Sequence, residues 1–181
     1  MRGYAAIGLD HPKCPANVGG AMRAAGCYGA AMVAMAGHRF GNAPTDVQNQ
    51  WRLTPVIQTD DLRLVIPYDC VPVAVDLIEC AQSLVDYKHP ERAFYIFGPE
   101  DGTLGARVLS WCRDVVYVPT VGCMNLAATV NVVLYDRASK ARRGPNVRVK
   151  PAPTVGRQAR DAENVRRTCI PGLVPRRWGS A

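Results

Sequence analysis

A basic side chain follows a glycine-containing helix start near the amino terminus. Asn17, Gly19 and Arg23 have the spacing Asn-x-Gly-x-x-x-Arg, in a segment whose apolar residues recur at helical intervals. The first backbone N–H groups of a helix have no partner within the helix and favour an anion. An arginine about a turn and a half further along is suited to holding a phosphate. A plainer interpretation is also open, in which Asn17 caps the helix and Arg23 is a surface side chain.

A second run, Phe97-Gly98-Pro99-Glu100, follows a predicted strand at 93–97. Glycine at the end of a strand lets a ligand approach the backbone closely. The Glu100 carboxylate can accept hydrogen bonds from a ligand or from backbone donors. The alternative is a simple turn stabilised by Asp101-Gly102. No Gly-Lys-Ser/Thr follows, which excludes a phosphate-binding P-loop.

A third run changes from strand to helix through a loop without charge. Residues 115–118 are β-branched or aromatic, Pro119 and Gly122 interrupt them, and apolar residues then recur from Leu126 at spacings of four, seven and eight. In open α/β sheets, ligands bind where such loops leave the carboxyl ends of strands. Cys123, within this loop, is expected to be an inert buried thiol and not a nucleophile.

Taken in order, the three runs resemble the three sequence motifs of the SpoU/TrmH group of SPOUT RNA methyltransferases. The resemblance spans about residues 1–140, with two departures: Cys123 stands where the family usually has serine, and the glycine-leucine pair after Glu100 is shifted. It implies an α/β domain, with a mostly parallel sheet flanked by helices and a C-terminal deep trefoil knot. It also implies an obligate homodimer with the active site at the subunit interface.

The resemblance further implies methyl transfer from S-adenosylmethionine to a ribose 2′-hydroxyl of RNA. The likeness to the smallest family members favours tRNA, at the wobble nucleotide. Catalytic roles are expected for Arg23, Asn17, Asn125 and Glu100, with the Arg23 guanidinium stabilising charge on the 2′ oxygen. The expected cofactor-binding residues are Val75, Asp76, Leu77, Phe97, Gly98, Pro99, Glu100, Val118, Pro119, Cys123, Met124, Asn125 and Leu126. The expected RNA-binding residues are Arg23, Arg142, Arg143, Arg157, Arg160, Arg166 and Arg167.

Three other functions stay open at this point. The first is an α/β nucleotide-binding enzyme without methylation. The second is a ribosomal RNA 2′-O-methyltransferase, and the third is a non-catalytic RNA-binding protein of the same fold. The absence of Gly-x-Gly-x-x-Gly after the first predicted strand argues against a dinucleotide-binding enzyme.

The net charge of +7 is unevenly distributed over the 181 residues. Residues 145–181 hold eight Lys/Arg and two Asp/Glu, so this segment carries six of the seven net positive charges. We therefore predict a methyltransferase domain at 1–144 and a basic, proline-rich tail at 145–181. Such a tail suits a polyanionic partner such as RNA, although it could also serve only solubility.

The cysteines and histidines show no metal-ligand spacing. Seven cysteines, an odd number, include no Cys-x-x-Cys pair, and the three histidines are scattered. We expect no metal site and no disulfide framework, and we expect most cysteines to be buried in a reducing compartment. With no signal peptide and no membrane-length apolar run, we expect a cytoplasmic protein without a membrane contact.

The remaining elements alternate between strand and helix, which predicts a mostly parallel sheet covered on both faces. The helix carrying Asn17 is expected to end at Gly26 or Gly29. The segment at 45–61 gives no clear pattern. Further strands are predicted at 3–9, 31–35 and 71–76, and further helices at 60–66, 78–85, 103–111 and 126–141.

Overall fold

The computed structural model describes residues 3–37, 45–46 and 49–142. Within these residues a seven-stranded, all-parallel sheet has the order β3-β2-β1-β6-β4-β7-β5. The strands are β1 Tyr4–Asp10, β2 Met32–Ala36, β3 Val56–Thr59, β4 Val71–Val75, β5 Gln82–Ser83, β6 Arg92–Phe97 and β7 Asp114–Tyr117. The helices are α1 Pro15–Tyr28, α2 Ala106–Leu109 and α3 Leu126–Arg142. The predicted α/β class is confirmed, whereas the implied trefoil knot stays a prediction.

The central strand β6 is buried on both faces, because helices and turns cover the sheet from each side. Ala93, Tyr95 and Phe97 belong to one core cluster, and Phe94 and Ile96 belong to the other. Helices α1 and α3 supply the first cluster, while α2 and a short 3-10 helix at 62–65 supply the second. Such two-sided burial explains why the sequence of β6 is continuously apolar after Arg92.

Helices α1 and α3 pack closely against each other, and a glycine lies at their contact. A Cβ atom added to Gly20 would lie 2.6 Å from the Cβ atom of Ala127. Only a residue without a side chain therefore allows this separation between the two helices.

Replacing Gly20 by alanine should destabilise the fold by about 1–2 kcal/mol, because overpacking outweighs the gain in helix propensity. Urea unfolding of Gly20→Ala against the unaltered protein measures the difference. Gly105→Ala is the matched control, because an added Cβ there meets nothing within 4 Å. Equal stability of Gly20→Ala and the parent would contradict the close helix contact.

A buried arginine fixes the far end of α3 to the amino edge of the sheet. Arg137 is only 7% exposed. Its guanidinium donates to the carbonyl oxygens of Pro90 at 2.6 Å, Glu91 at 2.7 Å and Tyr4 at 3.4 Å, and to the Tyr95 hydroxyl at 3.2 Å. These acceptors satisfy a charge that burial would otherwise penalise.

Beside Arg137, a buried histidine joins the sheet to the same helix. The Nδ1 atom of His89 lies 2.6 Å from the Tyr95 hydroxyl, and its Nε2 atom lies 2.8 Å from the Asp136 carboxylate. Burial lowers the pKa of His89, although Asp136 opposes that shift. A neutral ring that accepts from Tyr95 and donates to Asp136 satisfies both contacts.

Several predicted elements are corrected by the structure. Helix α1 begins at Pro15 with Cys14 at the N-cap, so the prediction that Asn17 caps it is wrong. The helix predicted at 78–85 is also wrong, because Gln82–Ser83 pairs with β7 and forms β5, and the Leu84 N–H donates to the Tyr117 carbonyl oxygen. The helix predicted at 103–111 is reduced to α2, and the Leu104 N–H that precedes it donates to Asp76. The segment at 60–66 contains a short 3-10 helix.

The described part of the chain has no helix with the length and hydropathy needed to cross a membrane. Over the same residues, no group of three or more potential metal-ligating side chains is found.

Candidate active site

A cavity of about 840 Å³ lies at the carboxyl edge of the sheet, beyond the ends of β4, β6 and β7. Its walls are the loops that follow these three strands, together with the start of α3. Parallel strands place their following loops on one edge, so residues distant in sequence meet there. The size is in the range of small-molecule sites.

All the cofactor-binding residues expected from the sequence line this cavity, with the exception of Asn125. The lining includes Val75, Asp76, Leu77, Phe97, Gly98, Pro99, Glu100, Val118, Pro119, Cys123, Met124 and Leu126. Whether these residues bind a cofactor stays a prediction, but the structure brings them together.

Seven residues that were not individually expected to bind the cofactor also line the cavity: Gly102, Thr103, Tyr117, Thr120, Val121, Gly122 and Thr129. Most lie inside or next to the motif loops, so including each whole loop would have found them. Thr129 is on α3, one turn after the predicted motif, and its hydroxyl donates to the Asn125 carbonyl oxygen.

Glu100 joins the second motif to the first. Its Oε2 atom accepts from the Lys13 backbone N–H at 2.9 Å. Its Oε1 atom accepts from the Cys14 backbone N–H at 3.2 Å and from Asn17 Nδ2 at 2.9 Å. Partial burial alone would raise the pKa of Glu100, but these hydrogen bonds, led by that from Asn17, lower it. The carboxylate therefore holds the loop before α1 and fixes the Asn17 amide.

Asp76 and Asn125 organise the other two loops. Asp76 Oδ1 accepts from the Leu77 backbone N–H at 2.7 Å, and its Oδ2 accepts from the Leu104 N–H at 2.6 Å. Asn125 Oδ1 accepts from the Ala128 N–H at 2.7 Å and so caps α3. Asparagine is a favoured capping residue, and its position directly before the predicted helix was the signal for this role.

Gly98 allows the loop after β6 to fold back on itself. An added Cβ would lie 3.3 Å from the backbone nitrogen of Leu104 and 3.4 Å from its Cγ. We expected a ligand to approach the backbone closely at Gly98, and in the structure the protein's own backbone at Leu104 does so. A side chain here would crowd the segment that closes this side of the cavity.

Arg23 is exposed on α1 and is not among the residues lining the cavity of its own chain. It lies six residues after Asn17, which turns it about 120° away around the helix axis and moves it about 9 Å along. The structure therefore does not bring Arg23 together with the Gly98 and Cys123 loops within one chain.

The expected burial of the cysteines is wrong for most of those described. Cys14, Cys27, Cys80 and Cys123 are exposed, Cys112 is half-buried and Cys70 is buried. Cys123 lines the cavity because its loop leaves the sheet edge. Helix α3 ends at Arg142, and the side chain of Arg142 lies outside the described part of the structure. The same holds for the whole predicted tail at 145–181 and for the other predicted RNA-binding arginines of this region: Arg143, Arg157, Arg160, Arg166 and Arg167.

The side chains around the cavity are acidic or uncharged. Among the described residues, the lining contains the carboxylates of Asp76 and Glu100 but no lysine or arginine. Such a lining favours a cationic ligand and disfavours a nucleoside phosphate, which needs positive or N–H-rich surroundings.

Comparison with protein families agrees with this geometry. The model of the SpoU rRNA methylase family matches residues 4–135. The chain belongs to the SpoU rRNA methylase family. Searching the curated proteins by sequence gives no significant match.

Several solved structures share the fold of this family member. The SpoU methyltransferase AviRb from Streptomyces viridochromogenes, in complex with the cofactor AdoMet, matches with a TM-score of 0.68 at 19% identity, covering 80% of this chain and 63% of that chain. An RNA 2′-O ribose methyltransferase matches with a TM-score of 0.68 at 17% identity, covering 78% and 58%. A structure concerned with 2-OH methylation of C/U34 on tRNA matches with a TM-score of 0.66 at 19% identity, covering 78% and 93%. The chain thus spans about three fifths of the first two proteins.

Replacing Glu100 by glutamine in this SpoU family member should destabilise it by about 1 kcal/mol near neutral pH, a value kept low by exposure of the site. One carboxylate oxygen becomes an NH₂ group, which cannot accept the loop's N–H donors. Urea unfolding measures the loss.

The difference in stability between Glu100→Gln and the parent should depend on pH in a defined direction. Because the folded-state pKa of Glu100 is lowered, its contribution is present above the ordinary value of 4.5 and is lost as the pH falls through the folded value. The difference in unfolding free energy between the parent and Glu100→Gln should therefore become smaller in acid. Glu79→Gln, the same substitution at an exposed carboxylate, is the matched control and should behave like the parent. A gap that widens in acid would contradict the assigned contacts.

Proposed function

We propose that this protein is an S-adenosylmethionine-dependent RNA methyltransferase that methylates a ribose 2′-hydroxyl, with tRNA as the substrate. The observation that carries the proposal is the acidic cavity between the three motif loops. Its two carboxylates suit a methyl donor with a net positive charge. Membership of the SpoU family and the AdoMet bound to AviRb support the same cofactor.

The residues present fit such a cofactor. Leu77 and Val118 offer accessible apolar surface for a purine ring, with the buried side chains of Phe97 and Leu126 behind them. Asp76 and Glu100 offer negative charge. Bound S-adenosylmethionine supplies a methyl group on a positively charged sulfur. Cys123 contributes through its backbone, because a thiol donates hydrogen bonds more weakly than the usual serine hydroxyl.

The catalytic residues divide into contacting and positioning groups. Arg23 contacts the RNA phosphate and stabilises negative charge developing on the 2′ oxygen, since a guanidinium stays protonated and is a poor base. The proton of the 2′-hydroxyl leaves to the adjoining phosphate or to water as the oxygen takes the methyl group. Glu100 positions Asn17 through their 2.9 Å hydrogen bond. Asn125 positions the loop containing Cys123, because it caps the helix that follows.

The proposed active site is shared by two copies of the chain. Arg23 is exposed and absent from the cavity of its own chain, so a second copy is the direct source of a guanidinium beside it. Apolar groups on nearby surfaces support a homodimer. Val121 at the cavity is fully exposed, and Tyr135 of α3 is 62% exposed while its ring contacts Tyr28 of α1.

The choice of tRNA is supported by one length comparison. This chain covers 93% of the protein in the structure concerned with C/U34 methylation on tRNA, but less than two thirds of the other two. The shared domain thus makes up nearly the whole of that protein. A cytoplasmic location is part of the proposal and agrees with the free thiols of all six described cysteines.

The wild-type protein should transfer radiolabelled methyl groups to total tRNA and should bind S-adenosylhomocysteine but not ATP in isothermal titration. Arg23→Ala should lower methyl transfer by at least about a hundredfold, because a charge-stabilising group is lost, and should leave S-adenosylhomocysteine binding unchanged. Arg63→Ala is the matched control, because Arg63 is exposed and follows Leu62, which packs on the face of the sheet opposite to α1. Transfer to ribosomal RNA alone would refute the choice of tRNA. Full activity of Arg23→Ala would refute its role.

Mixing two inactive variants tests the shared site. Arg23→Ala lacks the guanidinium, and Gly98→Val crowds the cofactor cavity beside Leu104. If the site combines groups from two copies, random reassociation should restore about a quarter of the wild-type activity, since half the dimers are mixed and each has one intact site. A mixture as inactive as its components, or a monomer in sedimentation velocity, would contradict the shared site.

A further inference from the structure

An exposed tryptophan stands beside the helix that carries Arg23. Trp51 is 56% exposed, and the Arg52 guanidinium lies 5.0 Å from the centre of its ring. Covering this large aromatic surface with a partner would be favourable. The adjoining cation makes that surface suited to a partner that carries both a flat ring and a negative charge.

The loop that presents Trp51 is held firmly by buried polar groups. The Asp46 carboxylate, only 7% exposed, accepts from the backbone N–H groups of Gln50 at 2.8 Å and Trp51 at 3.1 Å. The Gln50 side chain donates to the Thr54 hydroxyl at 2.8 Å, and Thr54 is 5% exposed. The indole is therefore displayed from a fixed backbone.

This loop follows α1 on both sides of Arg23. The Thr45 hydroxyl donates to the carbonyl oxygen of Ala16, and Gln50 lies so close to Gly26 that no Cβ would fit there. Gly26 is three residues after Arg23, about 4.5 Å further along the helix. The backbone that presents Trp51 is thus anchored to α1 before and after Arg23, whose guanidinium the proposed function assigns to the RNA phosphate.

We propose that Trp51 is a stacking platform for an unpaired base of the RNA substrate, with Arg52 adding charge contact to the adjoining phosphate. The inference rests on the proposed function, because it takes RNA as the partner of Arg23. Aromatic side chains stack on any base, and single-stranded segments are the ones whose bases are free to stack. The platform therefore holds a flanking nucleotide while the target ribose reaches the cavity.

Trp51→Ala should weaken binding of single-stranded oligouridylate and of total tRNA by about five- to a hundredfold, as measured by filter binding. Trp51→Phe keeps an aromatic ring and should change the affinity by less than about threefold. Leu53→Ala, at a 76% exposed aliphatic residue of the same loop, is the matched control and should bind like the parent. Binding of an RNA duplex should be unchanged in all three variants.

Two further measurements separate stacking from other roles of Trp51. Oligouridylate should quench tryptophan fluorescence in the parent but much less in Trp51→Phe. Isothermal titration with S-adenosylhomocysteine and sedimentation velocity should give parental values for Trp51→Ala. Parental RNA affinity of Trp51→Ala, equal weakening of duplex binding, or loss of self-association would each overturn the platform, the last by assigning Trp51 to an interface between copies.

These outcomes are distinct from a failure of the proposed function. If the parent transfers no methyl group but Trp51→Ala loses RNA affinity, the platform stands and the methyltransferase proposal falls. If the parent methylates tRNA and Trp51→Ala binds tRNA as well as the parent does, the methyltransferase proposal stands and the platform falls.

Discussion

The position of α3 depends on the buried guanidinium of Arg137. It donates to backbone carbonyls at the amino edge of β1 and β6, while the first residue of the same helix, Leu126, lines the cavity at the carboxyl edge. Burying this charge is favourable only because its acceptors are in place, so the helix has little freedom to slide or rotate. Helix α1 packs on α3 at Gly20, and Glu100 ties the start of α1 to the loop after β6. Fixing one helix end thus helps to fix the walls of the cavity at the other.

Much of the fold was predictable, because local signals agree with the global arrangement. Alternating apolar strands and helices indicated a parallel sheet, and such a sheet places the loops after β4, β6 and β7 on one edge. The short strands β3 and β5 were missed. Val56–Thr59 alternates between exposed and half-buried residues at the sheet edge, and Gln82–Ser83 is a strand only through its pairing with β7.

The candidate site was predictable as a set of loops but not as a set of contacts. Asn17 fits the capping pattern, yet its side chain donates to Glu100, which is 83 residues away in sequence. Arg137 was not singled out from the sequence, although it continues the apolar spacing of Val130, Val133 and Leu134 on the inward face of the helix. Its acceptors belong to β1 and to the turn before β6, which no local pattern identifies. Arg23 illustrates a different limit, since its proposed partner site lies on another molecule.

The acidic lining of the cavity bears on how the proposed reaction could be repeated many times. Methyl transfer removes the positive charge from the sulfur, whereas the carboxylates of Asp76 and Glu100 do not change. The attraction that helps to load the donor is therefore weaker for the spent molecule, and exchange of one for the other is favoured in the productive direction. Two carboxylates whose oxygens already hold the loops in place would thus also drive turnover.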